Sequence, residues 1–186
     1  MSRRPDILGE FTAEHRAVED LLARIEPAPA PSGGAGQGGG AAGQGGGTGQ
    51  DGGTGQDGGT GQDGGAASEQ LIGQLTDLLF SHCAAEEEHL FPVVQHDVPD
   101  GGAMVFRCIH DHLAIGQYLA DLQALPPGDP AADTLLGGLA ELLRRHLATE
   151  EEQLFPAARK ALPAAARNAL AERLRADRAE IAEAGP

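Results

Sequence analysis

The sequence is short of cysteine, of basic residues and of long apolar runs. Only Cys83 and Cys108 occur among 186 residues, and both thiols read as small buried hydrophobes. No apolar run approaches the roughly 18 residues of a membrane span, and no signal-peptide pattern follows the charged start Met1-Ser2-Arg3-Arg4-Pro5-Asp6. These absences predict a soluble, cytoplasmic protein in a reducing compartment. Lys and Arg number 13 against 28 Asp and Glu, a net charge of −15, which argues against nucleic acid or an anionic membrane as partner.

Bulky side chains are missing from one whole stretch. From residue 27 to residue 67 nothing apolar is larger than alanine apart from three prolines at its start, and the segment includes three tandem copies of Gly-Gly-Thr-Gly-Gln-Asp ending at Asp51, Asp57 and Asp63. With no apolar burial to offset the entropy of ordering, it is expected to be a disordered linker inserted within the domain. The hexamer resembles the start of a calcium-binding nine-residue repeat, but its period is six and the apolar position that would pack such a coil is absent. About forty flexible residues reach on the order of 35 Å, enough to join helices in any arrangement. What remains, roughly 145 residues, suits one domain: a first bundle helix in 1–26, further bundle helices in 68–160, and a C-terminal helix packed on them in 161–186.

What is present is a repeat. His82 to Pro92 reads HCAAEEEHLFP and His146 to Pro156 reads HLATEEEQLFP. Residues four apart on a helix lie about one turn apart on one face, so His82 with Glu86, and His146 with Glu150, each form a two-ligand clip for a metal. Leu71, Leu75 and Leu78 lead at threes and fours into His82 and Glu86, as Leu135, Leu139 and Leu142 lead into His146 and Glu150; both clips therefore face the core. A buried carboxylate without a partner costs several kcal/mol, and a bound cation is the usual remedy.

Two more histidines occupy core positions. A first helix from about Ile7 to Glu26 spaces Phe11, His15, Val18, Leu22 and Ile25 at fours and threes, which puts His15 where a leucine is expected. A second helix is expected from Ser68 to Phe91, with Pro92 bending or ending it. A third, about Ala103 to Leu125, carries Met104, Cys108, His112, Ile115, Leu119 and Leu122 inward, while His110 faces elsewhere. The fourth begins near Ala131 and reaches Phe155. Beyond Pro163 a last helix runs to about Glu183 with a thin stripe of Leu170, Leu174 and Ile181. Residues 71–92 match 135–156 at 13 of 22 positions, and Glu14-His15-x-x-Val18 echoes Asp111-His112-x-x-Ile115. Two duplicated helical hairpins of this kind predict an all-α, up-down four-helix bundle with an extra C-terminal helix.

The order H…HxxxE…H…HxxxE, with each clip running on to Leu-Phe-Pro, resembles the hemerythrin-like HHE cation-binding domain family. The resemblance implies two non-haem iron ions in the bundle, with His15, His82, His112 and His146 as terminal ligands and Glu86 and Glu150 as bridges. Mixed imidazole and carboxylate donors suit iron, manganese or zinc. The oxygen-carrying members have two histidines four apart in the third helix, whereas here Cys108 and Gly116 flank His112; their fourth-helix carboxylate is an aspartate five after the histidine, whereas here it is Glu150 at four. Fewer histidines leave more iron positions for water, dioxygen, peroxide or nitric oxide, which counts against reversible oxygen carriage. His89 forms E-x-x-H with Glu86 and reads either as an additional ligand or as a channel residue. Glu87, Glu88, Glu151 and Glu152 read as a solvated face, and His96 as exposed. Three functions follow: an enzyme-like di-iron protein reacting with dioxygen or peroxide, an iron- or oxygen-sensing or iron-storing module without turnover, and a structural zinc bundle. The last is disfavoured because structural zinc sites are closed and often contain cysteine.

Overall fold

The computed structural model describes residues 4–25 and 62–184, and every regular element among them is helical. The predicted linker at 27–67 lies outside the described residues except for its last six positions, which already belong to a helix. The elements are α1 (Ile7–Ile25), α2 (Gln62–Ala85), a π-helical turn (Glu86–Leu90), α3 (Phe91–Asp97), α4 (Gly101–Ala124), α5 (Ala131–Thr149), a second π-helical turn (Glu150–Leu154), α6 (Phe155–Ala161) and α7 (Ala164–Ala184). None is long and apolar enough to cross a membrane.

Four rods make the bundle expected from the sequence: α1, α2 running through its π turn into α3, α4, and α5 running through its π turn into α6. α1 pairs with α2, and α4 with α5, so the two sequence hairpins are hairpins in space. The helices do not stop at the prolines. Within an α-helix the rings of Pro92 and Pro156 would strike the carbonyls of residues 88 and 152 and leave a rung of the hydrogen-bond ladder unmade. Instead the Phe91 N–H bonds to the Glu86 carbonyl and the Phe155 N–H to the Glu150 carbonyl, five residues back, which widens the turn ahead of each proline. The rods thus reach Asp97 and Ala161, past the expected ends at Phe91 and Phe155.

The loop between α3 and α4 is tight. Asp100 has a left-handed backbone, φ 59°, and a Cβ added to Gly101 would sit 2.0 Å from the Val94 carbonyl oxygen, so only glycine fits there.

Two apolar clusters fill the bundle. One gathers Phe11, Leu90, Phe91, Cys108, Leu154 and Phe155 with their neighbours, and the other gathers Val18, Leu79, Ile115 and Leu143 with theirs. Along every rod the polar stripe positions fall between the two, so the histidines and glutamates form a layer sealed above and below. α7 adds Leu170, Ala171 and Leu174 to the first cluster. Ile181, expected on the same stripe, is 72% exposed. The intervening positions 177 and 178 are Asp and Arg, and they face His89 and Glu14; the apolar contact ends before Ile181. Asp6, just ahead of α1, and Glu10 and Glu14 along it pair with Arg167, Arg175 and Arg178 of α7, a ladder of charge holding α7 to α1.

Candidate metal centre

His15, His82, Glu86, His112, His146 and Glu150 converge in the middle of the bundle, and all six are buried. Ligand-type atoms of His15, His82, Glu86 and Glu150 lie within 4.8 Å of one another, as do those of Glu86, His112, His146 and Glu150. Each hairpin's histidines thus form one group, and the two glutamates are common to both. The closest approaches run from His Nε2 to carboxylate oxygen: His15 to Glu150 3.3 Å, His112 to Glu86 3.4 Å, His146 to Glu150 3.5 Å and His82 to Glu86 3.6 Å. Among the described residues, the buried side-chain atoms that lack a hydrogen bond are the four Nε2 atoms, the four oxygens of Glu86 and Glu150, and His146 Nδ1. Buried polar atoms are nearly always satisfied in folded proteins, so such a concentration at one point marks a place built for a ligand.

Acidic residues on the rim orient the imidazoles. His82 Nδ1 donates to Glu14 at 2.9 Å, His15 Nδ1 to Glu151 at 2.9 Å and His112 Nδ1 to Glu87 at 2.8 Å. Fixing the proton on Nδ1 leaves the Nε2 lone pair pointing inward, the tautomer and orientation that a metal-bound imidazole requires. Asp111 is the counterpart of Glu14, but its Oδ2 stops 3.8 Å from His146 Nδ1, too far for a hydrogen bond. The pattern follows the duplication. The acid preceding His15 or His112 faces the clip histidine of its own hairpin, within hydrogen-bond reach for Glu14 only, while the acid following Glu86 or Glu150 bonds a histidine of the other. Glu87 and Glu151, expected on a solvated face, therefore belong to the site.

The Leu-Phe-Pro exits also cross between hairpins. Phe91 stacks on His112 with ring centroids 5.5 Å apart, and Phe155 on His15 at 5.4 Å; Phe11 meets His82 edge-on at 5.5 Å. The rings hold the imidazole planes and keep water from one end of the polar layer. Within this dry layer the charges perturb one another. Burial, and then the Glu86 carboxylate, raise the Glu150 pKa above its usual value, while burial followed by the other three histidines lowers that of His146. Burial pushes the Cys108 thiol up, and Glu150 and Glu86 push it further, so it stays neutral.

His89 does not join the central groups. Its Nε2 lies 3.3 Å from Asp177 of α7, and it clusters with that residue and the exposed Glu88. His96 is exposed and faces Asp97, and His110 is exposed. Cys83, expected to be buried, is half-buried. It opens on a largely apolar groove of about 480 Å³ between α2 and α4, which hydrophobic periodicity alone does not reveal because its walls, Phe80 and Leu113, are exposed side chains.

A model of the Hemerythrin HHE cation binding domain matches residues 6–158. The chain is also similar to the crystal structure of a Hemerythrin HHE cation binding domain-containing protein from Mycobacterium kansasii. The TM-score is 0.65 at 15% sequence identity, with 94% of this chain and 85% of that chain covered. None of the curated proteins matches the chain.

Proposed function

Given that the chain belongs to the hemerythrin HHE cation-binding domain family, we propose that it is a non-haem di-iron protein that binds or reacts with dioxygen, peroxide or nitric oxide. His15 and His82 would hold one iron, His112 and His146 the other, with Glu86 and Glu150 bridging them. The observation that carries this reading is the set of eight inward-facing Nε2 and carboxylate atoms left without hydrogen bonds, divided into two groups that share both glutamates. Four imidazoles and two carboxylates are a donor set that iron accepts readily. Two histidines and shared carboxylates do not fill an iron coordination shell, so positions remain for a small ligand.

Bound iron would supply a redox-active Lewis acid at which such a ligand is polarised. The chain's own residues do the rest. Glu14, Glu151 and Glu87 hold protons on the Nδ1 atoms of His82, His15 and His112 and aim their Nε2 atoms at the centre. Phe11, Phe91 and Phe155 exclude water, and the two apolar clusters keep the layer dry, which strengthens every charge interaction inside it.

The test is metal analysis of the purified chain, followed by optical spectra with and without dioxygen and peroxide. Two irons per chain with rapid peroxide consumption would identify a reactive centre, and two irons with a stable adduct would favour sensing or storage. Zinc as the native metal, or saturation at one ion per chain, would refute the di-iron reading.

A further inference from the structure

Taking the two-metal reading above as given, we infer that the two positions are inequivalent: the one held by His112 and His146 binds its metal more weakly and accepts a small neutral ligand through the groove between α2 and α4. Three observations converge on that half of the site.

The first is a missing support. His15 and His82 each donate from Nδ1 to a glutamate at 2.9 Å. On the other side only His112 does so, because His146 faces Asp111 across 3.8 Å. Aspartate is one methylene shorter than glutamate, a deficit of about 1.5 Å, and Arg145 Nη2 approaches the same carboxylate at 3.3 Å. A metal-bound imidazole whose second nitrogen is unsupported is less firmly oriented, and loss of such a partner typically lowers metal affinity about 10–100-fold.

The second is access. The groove is lined by Leu79, Phe80, Cys83, Glu87, His112 and Gly116, among others. It therefore reaches one of the four histidines and not His15, His82 or His146. His15 and His82 have no exposed surface and are covered by Phe155 and Phe11.

The third is chemistry. The groove walls are mostly apolar, and the one acidic side chain among them, Glu87, disfavours an anion. A small uncharged molecule such as nitric oxide or dioxygen fits this path better than azide or another anion.

The experiment is calorimetric and spectroscopic titration of the full, metal-free chain with cobalt(II). Two steps of one ion each are expected, the second weaker by about tenfold or more. Asp111→Glu, which restores the missing reach, should tighten the weak step. Glu14→Asp, which creates the same deficit on the other side, should loosen the tight one. Equal affinities in the wild type, or an Asp111→Glu change confined to the tight step, would overturn the inference. Saturation at one cobalt would instead remove the two-metal reading on which it rests. For the route, Gly116→Leu is informative because a Cβ there meets nothing within 4 Å, so the larger side chain projects into the groove. The variant should retain both metals and bind nitric oxide more slowly in the reduced, iron-loaded form; an unchanged rate would overturn the groove as the entrance.

Discussion

Replacing Glu150 by glutamine should stabilise the metal-free protein while abolishing the two-metal capacity proposed above. In the metal-free core both oxygens of Glu150 are buried without a hydrogen bond, and the nitrogens nearest to them are His15 Nε2 at 3.3 Å and His146 Nε2 at 3.5 Å. While the His15 imidazole is neutral and its proton sits on Nδ1 toward Glu151, its Nε2 offers a lone pair to a carboxylate, acceptor against acceptor. A buried charge left without compensation costs about 3–5 kcal/mol. A glutamine removes that charge and adds two N–H donors that can reach the same imidazoles or Glu86, so a gain of about 3 kcal/mol is expected. For a chain of this size that corresponds to a rise of roughly 6–12 °C in Tm.

The assay is thermal unfolding of chelator-treated wild type and variant across a range of pH, with metal content measured alongside. Burial and Glu86 raise the folded-state pKa of Glu150 above its ordinary value of 4.5. Between those two values the folded wild type holds a proton that the unfolded chain has lost. Its stability therefore falls as pH rises above 4.5, and the full penalty is present above the folded-state value. The variant should lose this slope. A metal-free Glu150→Gln variant less stable than wild type, or an unchanged pH slope, would refute the reasoning that the core is strained until metal fills it.

Other perturbations test separate parts of the structure. Glu86→Ala should leave fewer than one metal per chain if it serves both proposed positions, whereas His15→Ala should leave about one and the exposed His110→Ala should change nothing, as read by metal analysis. Arg178→Ala releases Glu14, which Arg178 meets at 2.5 Å, and should weaken the His15/His82 position in cobalt titration without loss of helicity by circular dichroism. Asp6→Ala removes both the cap on the Gly9 N–H at 3.1 Å and the Arg167 pair at 2.7 Å, at a cost of about 1–2 kcal/mol in denaturant unfolding. Burial would raise the Asp6 pKa, but the hydrogen bonds from Arg167 and Gly9 outweigh it and hold it below 3.8. That contribution is present above pH 3.8 and is lost as pH falls through the lower folded value. Gly101→Ala drives a methyl group into the Val94 carbonyl and should cost about 3 kcal/mol or more in the same measurement.

The central residues were legible because burial leaves a period in the sequence. His15 and His112 stand where a leucine belongs, and the His-x-x-x-Glu clips continue a leucine stripe, so apolar spacing alone brings six polar side chains to one layer. The orienting role of Glu14, Glu87 and Glu151, and the near approach of Asp111, were not legible because each lies one step off that stripe, where an acid looks like ordinary surface; only the neighbouring rod shows which imidazole it meets. The duplication held a clue, since an acid precedes both His15 and His112 and another follows both Glu86 and Glu150. The π turns were hidden for a different reason. Pro92 and Pro156 announce a disturbance, but whether a helix ends there or shifts its hydrogen bonds by one residue depends on the packing of Phe91 and Phe155, which local composition does not set.

The ladder between α1 and α7 ties the centre to the order in which the chain is made. Arg178 holds Glu14, and Glu14 holds the imidazole of His82, yet Arg178 follows every central residue by at least 28 positions. A ribosome adding about 5–20 residues per second delivers all six central side chains before it delivers the residue that steadies one of them. Until α7 has emerged and docked, His82 should turn more freely and the proposed metal position beside it should exchange more easily. Firm retention of a metal beside His82 is therefore expected only once α7 has closed on α1.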